Sequence, residues 1–290
     1  MIKVHYLLFT LLIVLFSQHL WGQQTAKQLI RIYDVDKGKE ISLEELSQAA
    51  GEVDVLFWGE EHNDSLGHIM QDSLYHLLLE QHGTASLSLE MFETDCQYIL
   101  DEYLAGFILE DKFLKASRPW SDYKKFYRPM VERAKEQNQA VIAANTPRRY
   151  INLVGRKGKG ELENLPKVSR QYLPPLPIYT DDVDYKKRFD DLMASFGGHG
   201  GDSKAFQAQC TWDATMAHSI FTHWKKNKKS LIFHLCGRFH SDYQEGTMNQ
   251  LRRLKRNIKA ANVSCFPVED LSGVDWSEYE GLGNYVVVHE

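Results

Sequence analysis

Short apolar runs alternate with longer amphipathic stretches along most of this chain. The apolar runs predict strands at 53–58, 85–90, 140–144, 230–235, 260–267 and 284–289. Apolar residues at helical spacing predict helices at 65–81, 95–104, 111–138, 185–193, 203–226 and 247–255, with a further helix starting at residue 147. This alternation predicts an α/β fold in which a mostly parallel sheet carries helices on both faces.

A segment at about 107–138 is expected to form a small helical subdomain inserted between two strands. Its pattern predicts two helices broken near Pro119, because proline interrupts the helical hydrogen bonding. The second half is rich in aromatic side chains, namely Trp120, Tyr123, Phe126 and Tyr127. Such side chains usually fill a core. They could also form a lid over a flat hydrophobic ligand, and a tyrosinate can ligate ferric iron.

Two Gly-x-x-His sequences each follow an apolar run. Gly59 and His62 belong to the first, and Gly237 and His240 belong to the second. A glycine at the end of a strand lets the chain turn sharply and brings the next polar side chains to the rim of the sheet. Ligands of open α/β sheets bind beyond the carboxyl ends of the strands. The two histidines are therefore predicted to share a pocket.

Four of the predicted strands end in polar side chains that can take part in acid–base chemistry or metal binding. They are Glu60 with His62, then Glu90, Asn145 and His240. If the strands are parallel neighbours, all four ends lie on one rim. Two imidazoles and two carboxylates suit general acid–base chemistry, or a divalent metal held by His62, His240 and Glu90. A single glutamate at a strand end is more often a helix cap, but four such groups together favour a site.

Other polar side chains lie on predicted helices and turns. His68, Asp72 and Tyr75 share one helical face, for which a solvated surface is the favoured interpretation. Asp213 is expected to cap a helix or to pair with a basic group. His199 lies in a glycine-rich turn, where it belongs either to a mobile loop or to a flap over a pocket.

Composition and charge narrow the class of protein. The chain has 290 residues, of which 43% are apolar and 25% are charged, and this suits one large globular domain. The net charge of −5 does not show the excess of basic residues that is typical of nucleic-acid-binding proteins. Four cysteines are present without a Cys-x-x-Cys pair, so the pattern supports neither a redox motif nor a thiolate zinc site. No nucleophile elbow, phosphate-binding loop or His-Glu-x-x-His sequence occurs.

The N-terminus predicts export. Lys3 precedes an apolar stretch at 6–16 that is too short to span a bilayer. Residues 1–22 are therefore interpreted as a cleaved signal peptide, with an N-terminal membrane anchor as the alternative, and 23–290 as the mature domain. No cysteine stands near the expected cleavage point, so a lipid anchor is not expected. The predicted location is periplasmic or extracellular.

The motifs, taken in order, resemble the ChaN-like haem-binding uptake proteins of the wider Tiki, TraB and erythromycin-esterase-like superfamily. The matching pieces are Gly59-Glu60-Glu61-His62, His68, Leu89-Glu90-Met91-Phe92, Gln97, Leu104-Ala105-Gly106, the aromatic 120–127 segment, Ala144-Asn145-Thr146-Pro147-Arg148, Gln209-x-x-Trp212-Asp213-x-x-Met216-Ala217 and Gly237-x-x-His240. Each piece alone is weak, but their order and spacing are fairly specific.

The resemblance implies a parallel α/β fold with a small helical subdomain, export, haem binding and a role in iron acquisition. It also implies a catalytic or metal-binding set, which falls here on Glu60, His62, Glu90 and His240. Family members are often lipoproteins, and the missing lipid-attachment cysteine departs from that pattern. The expected partners are haem, a second copy of the chain and an outer-membrane uptake machinery.

Two functional hypotheses from different classes follow. The first is an exported haem-binding protein in which Tyr123, Tyr127 or His199 contacts the haem and Arg148 pairs with a propionate. The second is a metal-dependent hydrolase, of esterase or protease type, that uses the two Gly-x-x-His motifs and the strand-end glutamates. A third interpretation is a structural exported domain whose polar rim only caps helices and forms hydrogen bonds.

Overall fold

A computed structural model describes residues 29–197 and 203–290, and the predicted signal peptide and His199 lie outside these ranges. The described chain contains one eight-stranded sheet in the order β2-β1-β8-β7-β3-β6-β4-β5. The strands are β1 (Ile30–Asp34), β2 (Lys39–Ile41), β3 (Val55–Glu60), β4 (Ala85–Glu93), β5 (Val141–Asn145), β6 (Leu231–Gly237), β7 (Ala260–Pro267) and β8 (Tyr285–His289). The six strands from β8 to β5 run parallel, whereas β1 is antiparallel to both of its neighbours.

Helices connect the strands. They are α1 (Leu43–Ala50), α2 (Ser65–His82), α3 (Gln97–Leu104), α4 (Glu110–Ser117), α5 (Tyr123–Phe126), α6 (Arg128–Glu136), α7 (Arg148–Lys157), α8 (Lys167–Arg170), α9 (Val183–Ser195), α10 (Ser203–Lys226) and α11 (Gly246–Leu254). Short 3₁₀ turns lie at Thr94–Cys96, Lys159–Asn164, Arg238–His240, Asp242–Gln244 and Trp276–Tyr279. None of the helices in the described ranges is long and apolar enough to cross a membrane.

Helices cover both faces of the sheet, as the alternating pattern predicts. All six residues of β3 are buried, which is typical of a parallel strand that is covered on both sides. One face packs against Leu74 of α2 and Met130 of α6. The opposite face packs against Met216 of α10 and Leu251 of α11. The α/β fold class with a mostly parallel sheet is therefore confirmed.

The inserted segment between β4 and β5 is helical, but it contains more helices than the two that the sequence predicts. Helix α4 ends at Arg118, which has a left-handed φ of 55° directly before Pro119. Two further helices, α5 and α6, then follow. Phe113 and Tyr123 of this segment are buried in the same cluster as the strand residue Phe92, so the insertion packs directly on the main core.

The expectation of a solvated face on α2 is wrong. His68 and Tyr75 are buried. Asp72 forms a salt bridge with Arg133 of α6 at 3.0 Å. The expectation fails because the insertion folds back over α2, and sequence periodicity gives no information about which surfaces a distant segment covers.

Candidate functional site

The two Gly-x-x-His motifs lie side by side at the carboxyl edge of the sheet. Strands β3 and β6 are adjacent and parallel, and their register pairs Glu60 with Gly237. The residues that follow each strand therefore leave the sheet at the same height. This register brings the two predicted motifs together.

Each motif packs closely against the glycine of the other motif. A Cβ on Gly237 would come 3.0 Å from Nε2 of His62. A Cβ on Gly59 would come 2.8 Å from Cα of Arg238 and 2.7 Å from Oγ of Ser241. The close approach of the two segments requires glycine at Gly59, where a Cβ would meet backbone, and favours it at Gly237, where a Cβ would meet the half-exposed ring of His62.

Glu60 is the centre of the first half of the site. Its carboxylate is buried and accepts a hydrogen bond at 2.5 Å from the Tyr127 hydroxyl and another at 2.5 Å from Nε2 of Gln71. Nδ1 of His62 lies 2.9 Å from the same oxygen that Tyr127 contacts. With its proton on Nδ1, His62 donates to Glu60 and keeps Nε2 as the free nitrogen.

The His62 imidazole is the accessible part of this half. Its side chain is 42% exposed and lies edge-on to Trp120, with the ring centres 4.9 Å apart. Burial alone would lower the pKa of His62. The hydrogen bond to Glu60 and the negative charge of Glu90 outweigh that effect and raise the pKa above its usual value of 6.5.

Glu90 and His240 form the second half. One carboxylate oxygen of Glu90 accepts a hydrogen bond at 2.8 Å from the backbone N–H of Gly237. The other oxygen lies 3.6 Å from Nε2 of His240. The structure thus brings together all four residues that the sequence predicts for the site. The carboxylates of Glu60 and Glu90 both accept hydrogen bonds from other groups of the protein.

Asp213 of α10 orients His240. Its Oδ1 lies 2.7 Å from Nδ1 of His240 and accepts a second hydrogen bond from Thr247 at 2.9 Å. Its Oδ2 accepts a hydrogen bond from the Tyr185 hydroxyl at 2.8 Å. Burial lowers the pKa of His240, but the charges of Asp213 and Glu90 outweigh burial and raise that pKa to about 9. Asp213 therefore pairs with a basic group, which is one of the two roles that the sequence left open.

The structure buries both candidate tyrosines. Tyr123 is 1% exposed, and its hydroxyl has no hydrogen-bond partner. The Tyr127 hydroxyl is occupied by Glu60. Burial raises the pKa of both phenols above the usual value of 10. Neither hydroxyl reaches the surface in this conformation.

An arginine-rich rim lies beside these strand ends. Arg148 is an exposed side chain 3.3 Å from Glu93, the last residue of β4. Arg118 contacts the same carboxylate at 3.1 Å and Asp95 at 2.7 Å. Arg149 also bonds Asp95. The side chain of Asn145 bonds the local backbone, because its oxygen accepts a hydrogen bond from the N–H of Thr146.

Sequence reasoning missed Gln71 and gave His68 the wrong surroundings. Nδ1 of His68 lies 2.9 Å from the oxygen of Gln71, whose nitrogen bonds Glu60. The imidazole of His68 stacks on Phe126, with the ring centres 3.9 Å apart. The spacing of three residues between His68 and Gln71 is a signal that could have joined the two on one helical face.

The family profile described as "Haem-binding uptake, Tiki superfamily, ChaN" matches residues 46–251, which include both Gly-x-x-His motifs and the helical insertion. The fold and this match define an α/β protein of the Tiki superfamily. Within that superfamily, the chain belongs to the ChaN family of haem-binding uptake proteins. No curated protein matches the sequence.

One solved structure supports the same fold, and two others are more distant. The first is similar over 91% of this chain and 98% of its own, with a TM-score of 0.70 and 19% identity; it describes cofacial heme binding to ChaN of Campylobacter jejuni. The type III effector HopBA1 is more distant, with a TM-score of 0.47 and 12% identity over 86% of this chain and 93% of its own. An erythromycin esterase has a TM-score of 0.46 and 11% identity over 77% of this chain and 72% of its own. The family match does not favour the hydrolase hypothesis, and it gives no support for a divalent metal at Glu90, His62 and His240.

Proposed function

We propose that this protein binds haem and acts in haem or iron uptake outside the cytoplasm. The observation that carries the proposal is the match to the haem-binding uptake family over residues 46–251. The apolar stretch at 6–16 and the signal-peptide pattern of residues 1–22 support export. A second copy of the chain and an outer-membrane uptake machinery remain the expected partners.

The residues at the rim fit the chemistry of haem. His62 presents a half-exposed imidazole beside the aromatic face of Trp120. Arg118, Arg148 and Arg149 lie on the rim that they form with Glu93 and Asp95, and guanidinium groups there can pair with propionate carboxylates. Bound haem would supply an iron that can take a protein ligand. The protein's own groups supply the nitrogen ligand, an aromatic wall and the cationic partners.

His62 is a better candidate ligand than either buried tyrosine. Glu60 holds Nδ1 of His62, and metal-ligating histidines commonly use such a carboxylate to fix the ring and leave the other nitrogen for the metal. Tyr123 and Tyr127 would have to leave the core before either could ligate iron. We therefore propose that His62 would ligate the haem iron and that Tyr127 orients His62 through Glu60.

Titration of the purified protein with hemin, followed by absorption spectroscopy, tests the proposal. We expect a saturable Soret band that His62→Ala weakens or shifts. His76→Ala is the matched control, because the His76 side chain is similarly exposed, at 45%, and lies on the outer surface of α2. Absence of saturable binding would contradict the proposed function. Equal spectra for His62→Ala and the wild type would contradict only the ligand assignment, which Tyr123→Phe and Tyr127→Phe would then re-examine.

A further inference from the structure

A second cluster of potential metal ligands lies outside the paired motifs. Asp64, Cys265 and His289 each offer one ligand atom, and these atoms all lie within 4.8 Å of one another. The Asp64 and His289 side chains are 9% and 3% exposed, and Cys265 is 1% exposed. A thiol, an imidazole and a carboxylate therefore converge in a nearly closed space.

Three separate elements build this cluster. Asp64 is the N-cap of α2, Cys265 lies on β7, and His289 ends β8. The parallel register pairs Cys265 with Val287. Because side chains alternate along a strand, His289, two residues beyond Val287, points to the same face of the sheet as Cys265. The carboxyl ends of both strands thus meet the start of α2.

The two oxygens of Asp64 divide their roles. Oδ1 accepts the N–H of Leu66 at 3.1 Å and so caps the helix, whereas Oδ2 lies 2.6 Å from Nε2 of His289. A Cβ on Gly67 would come 2.3 Å from Oδ2 of Asp64 and 3.4 Å from Sγ of Cys265. The helix therefore passes close over the cluster at a residue without a side chain, which leaves the Asp64 oxygen and the thiol open to each other.

Hydrogen bonding within the protein satisfies only one ring nitrogen of His289. Nε2 faces Oδ2 of Asp64, whereas the other ring nitrogen, Nδ1, is buried without a partner. Buried polar atoms are nearly always satisfied, and an exception calls for a bound water, an ion or a functional role.

We propose that Asp64, Cys265 and His289 form a binding site for a thiophilic divalent cation of the zinc type. Mixed sulfur, nitrogen and oxygen donors are the ligands that zinc takes in proteins, and three protein ligands leave a fourth position for water. On binding, bonds form from the metal to Sγ of Cys265, Nε2 of His289 and Oδ2 of Asp64. The S–H bond breaks and its proton leaves to solvent, and the proton that Nε2 shared with Asp64 is replaced by one on Nδ1. The thiolate and the carboxylate then balance the two positive charges of the ion.

The consequence of binding would be structural. The ion would join the ends of β7 and β8 to the start of α2, which directly follows the first Gly-x-x-His motif. Metal binding to a folded site stabilises the native state, so zinc should raise the Tm. The site does not depend on haem binding, and its test therefore succeeds or fails separately from that of the proposed function.

Cobalt substitution of the purified, metal-stripped protein gives the sharpest test, because cobalt bound to a thiolate has a charge-transfer absorption in the near ultraviolet. We expect a saturable band at one cobalt per chain, displaced by zinc, and lost in Cys265→Ser. Cys210→Ser is the matched control, since Cys210 is also a buried thiol but lies on α10 in another cluster. His289→Gln should lower zinc affinity by about 10-fold or more.

Each outcome decides the proposal. Loss of the band in Cys265→Ser but not in Cys210→Ser supports it, as does a zinc-dependent rise in Tm that both Cys265→Ser and His289→Gln abolish. If no band forms, Cys265 is only a core thiol. If the band persists in Cys265→Ser, another cysteine supplies the thiolate and the ion is bound elsewhere. Either of these two results overturns the proposal. Should Cys265→Ser fail to fold, His289→Gln and the zinc dependence of the wild-type Tm decide it.

Discussion

The imidazole of His62 lies directly against Gly237, where an added Cβ would come 3.0 Å from Nε2. The N–H of the same glycine bonds Glu90. One residue of the second motif thus supports the histidine of the first motif and fixes the carboxylate of the neighbouring strand. The two motifs pack as one unit, in which the second segment supports the histidine of the first.

Substitution of the motif glycines should be destabilising to different degrees. Gly59→Ala meets the backbone of Arg238 at 2.8 Å, so we expect a loss of about 3 kcal/mol, whereas Gly237→Ala meets a half-exposed ring that can shift and should cost about 1 kcal/mol. Gly155→Ala on α7 meets nothing within 4 Å and should stabilise by about 0.5–1 kcal/mol, as alanine does in a helix. Urea unfolding at pH 7 measures all three. Equal costs for Gly59→Ala and Gly155→Ala would refute the close packing.

Loss of the Asp213 charge should remove an alkaline dependence of stability. The folded-state pKa of His240 is about 9, above its ordinary value of 6.5, so its stabilisation is complete below pH 6.5 and is lost as the pH rises through 9. That loss amounts to roughly 3 kcal/mol in the wild type. In Asp213→Asn we expect about 3–5 kcal/mol lower stability at pH 6.5 and little further change up to pH 9. NMR titration of His240 checks the shift directly; an unchanged pKa in the variant would show that Asp213 is not its cause.

His234 should confer the opposite pH dependence. It is fully buried on β6, and burial, followed by the charge of His240, lowers its pKa to about 3. A lowered histidine pKa gives stability that is present above pH 6.5 and is lost as the pH falls toward 3, because the unfolded chain binds the proton first. Unfolding at pH 7 and at pH 4.5 should show a smaller acid loss in His234→Gln than in the wild type. The exposed His76→Gln serves as control and should keep the wild-type slope.

Removal of the two buried tyrosine hydroxyls should have unequal effects. Tyr127→Phe deletes a hydrogen bond to the Glu60 carboxylate and should cost about 1.5–3 kcal/mol, while also releasing His62 from its fixed orientation. Tyr123→Phe removes a hydroxyl that has no partner and should be neutral, or stabilising by up to about 1 kcal/mol. Denaturant unfolding of the two variants provides the comparison. A larger cost for Tyr123→Phe would indicate a partner that the structure does not show.

The elements at the centre of the sheet could be predicted, and those at its antiparallel edge could not. Strand β7 and helix α10 have the bounds that the apolar pattern predicts. The first part of the domain, with β1, β2 and α1, was missed because its strands are short and rich in charged residues. One local signal was available there, since Ser42 and Glu45 form a capping box at the start of α1.

The candidate site shows the same division. Glu60, His62 and His240 could be named because each follows an apolar run, which is a local property of the sequence. Glu90 was also named, but the strand end predicted there is wrong, because β4 continues to Glu93. Their contacts with Tyr127, Gln71 and Asp213 could not be named, because those residues come from helices far away in the chain. The cluster of Asp64, Cys265 and His289 had no sequence signal at all, since it lacks the close cysteine spacing by which such sites are found.

The sequence by itself determined the alternation of strands and helices and the polar groups that end the strands, because hydrophobic periodicity and glycine positions act locally. Only the tertiary structure decided which strand ends are neighbours. The placement of β6 beside β3 brings Gly237 under His62, and the return of the helical insertion over α2 brings Tyr127 to Glu60. Strand order and the packing of distant segments depend on how the whole chain buries its apolar surface, and no local pattern contains that information.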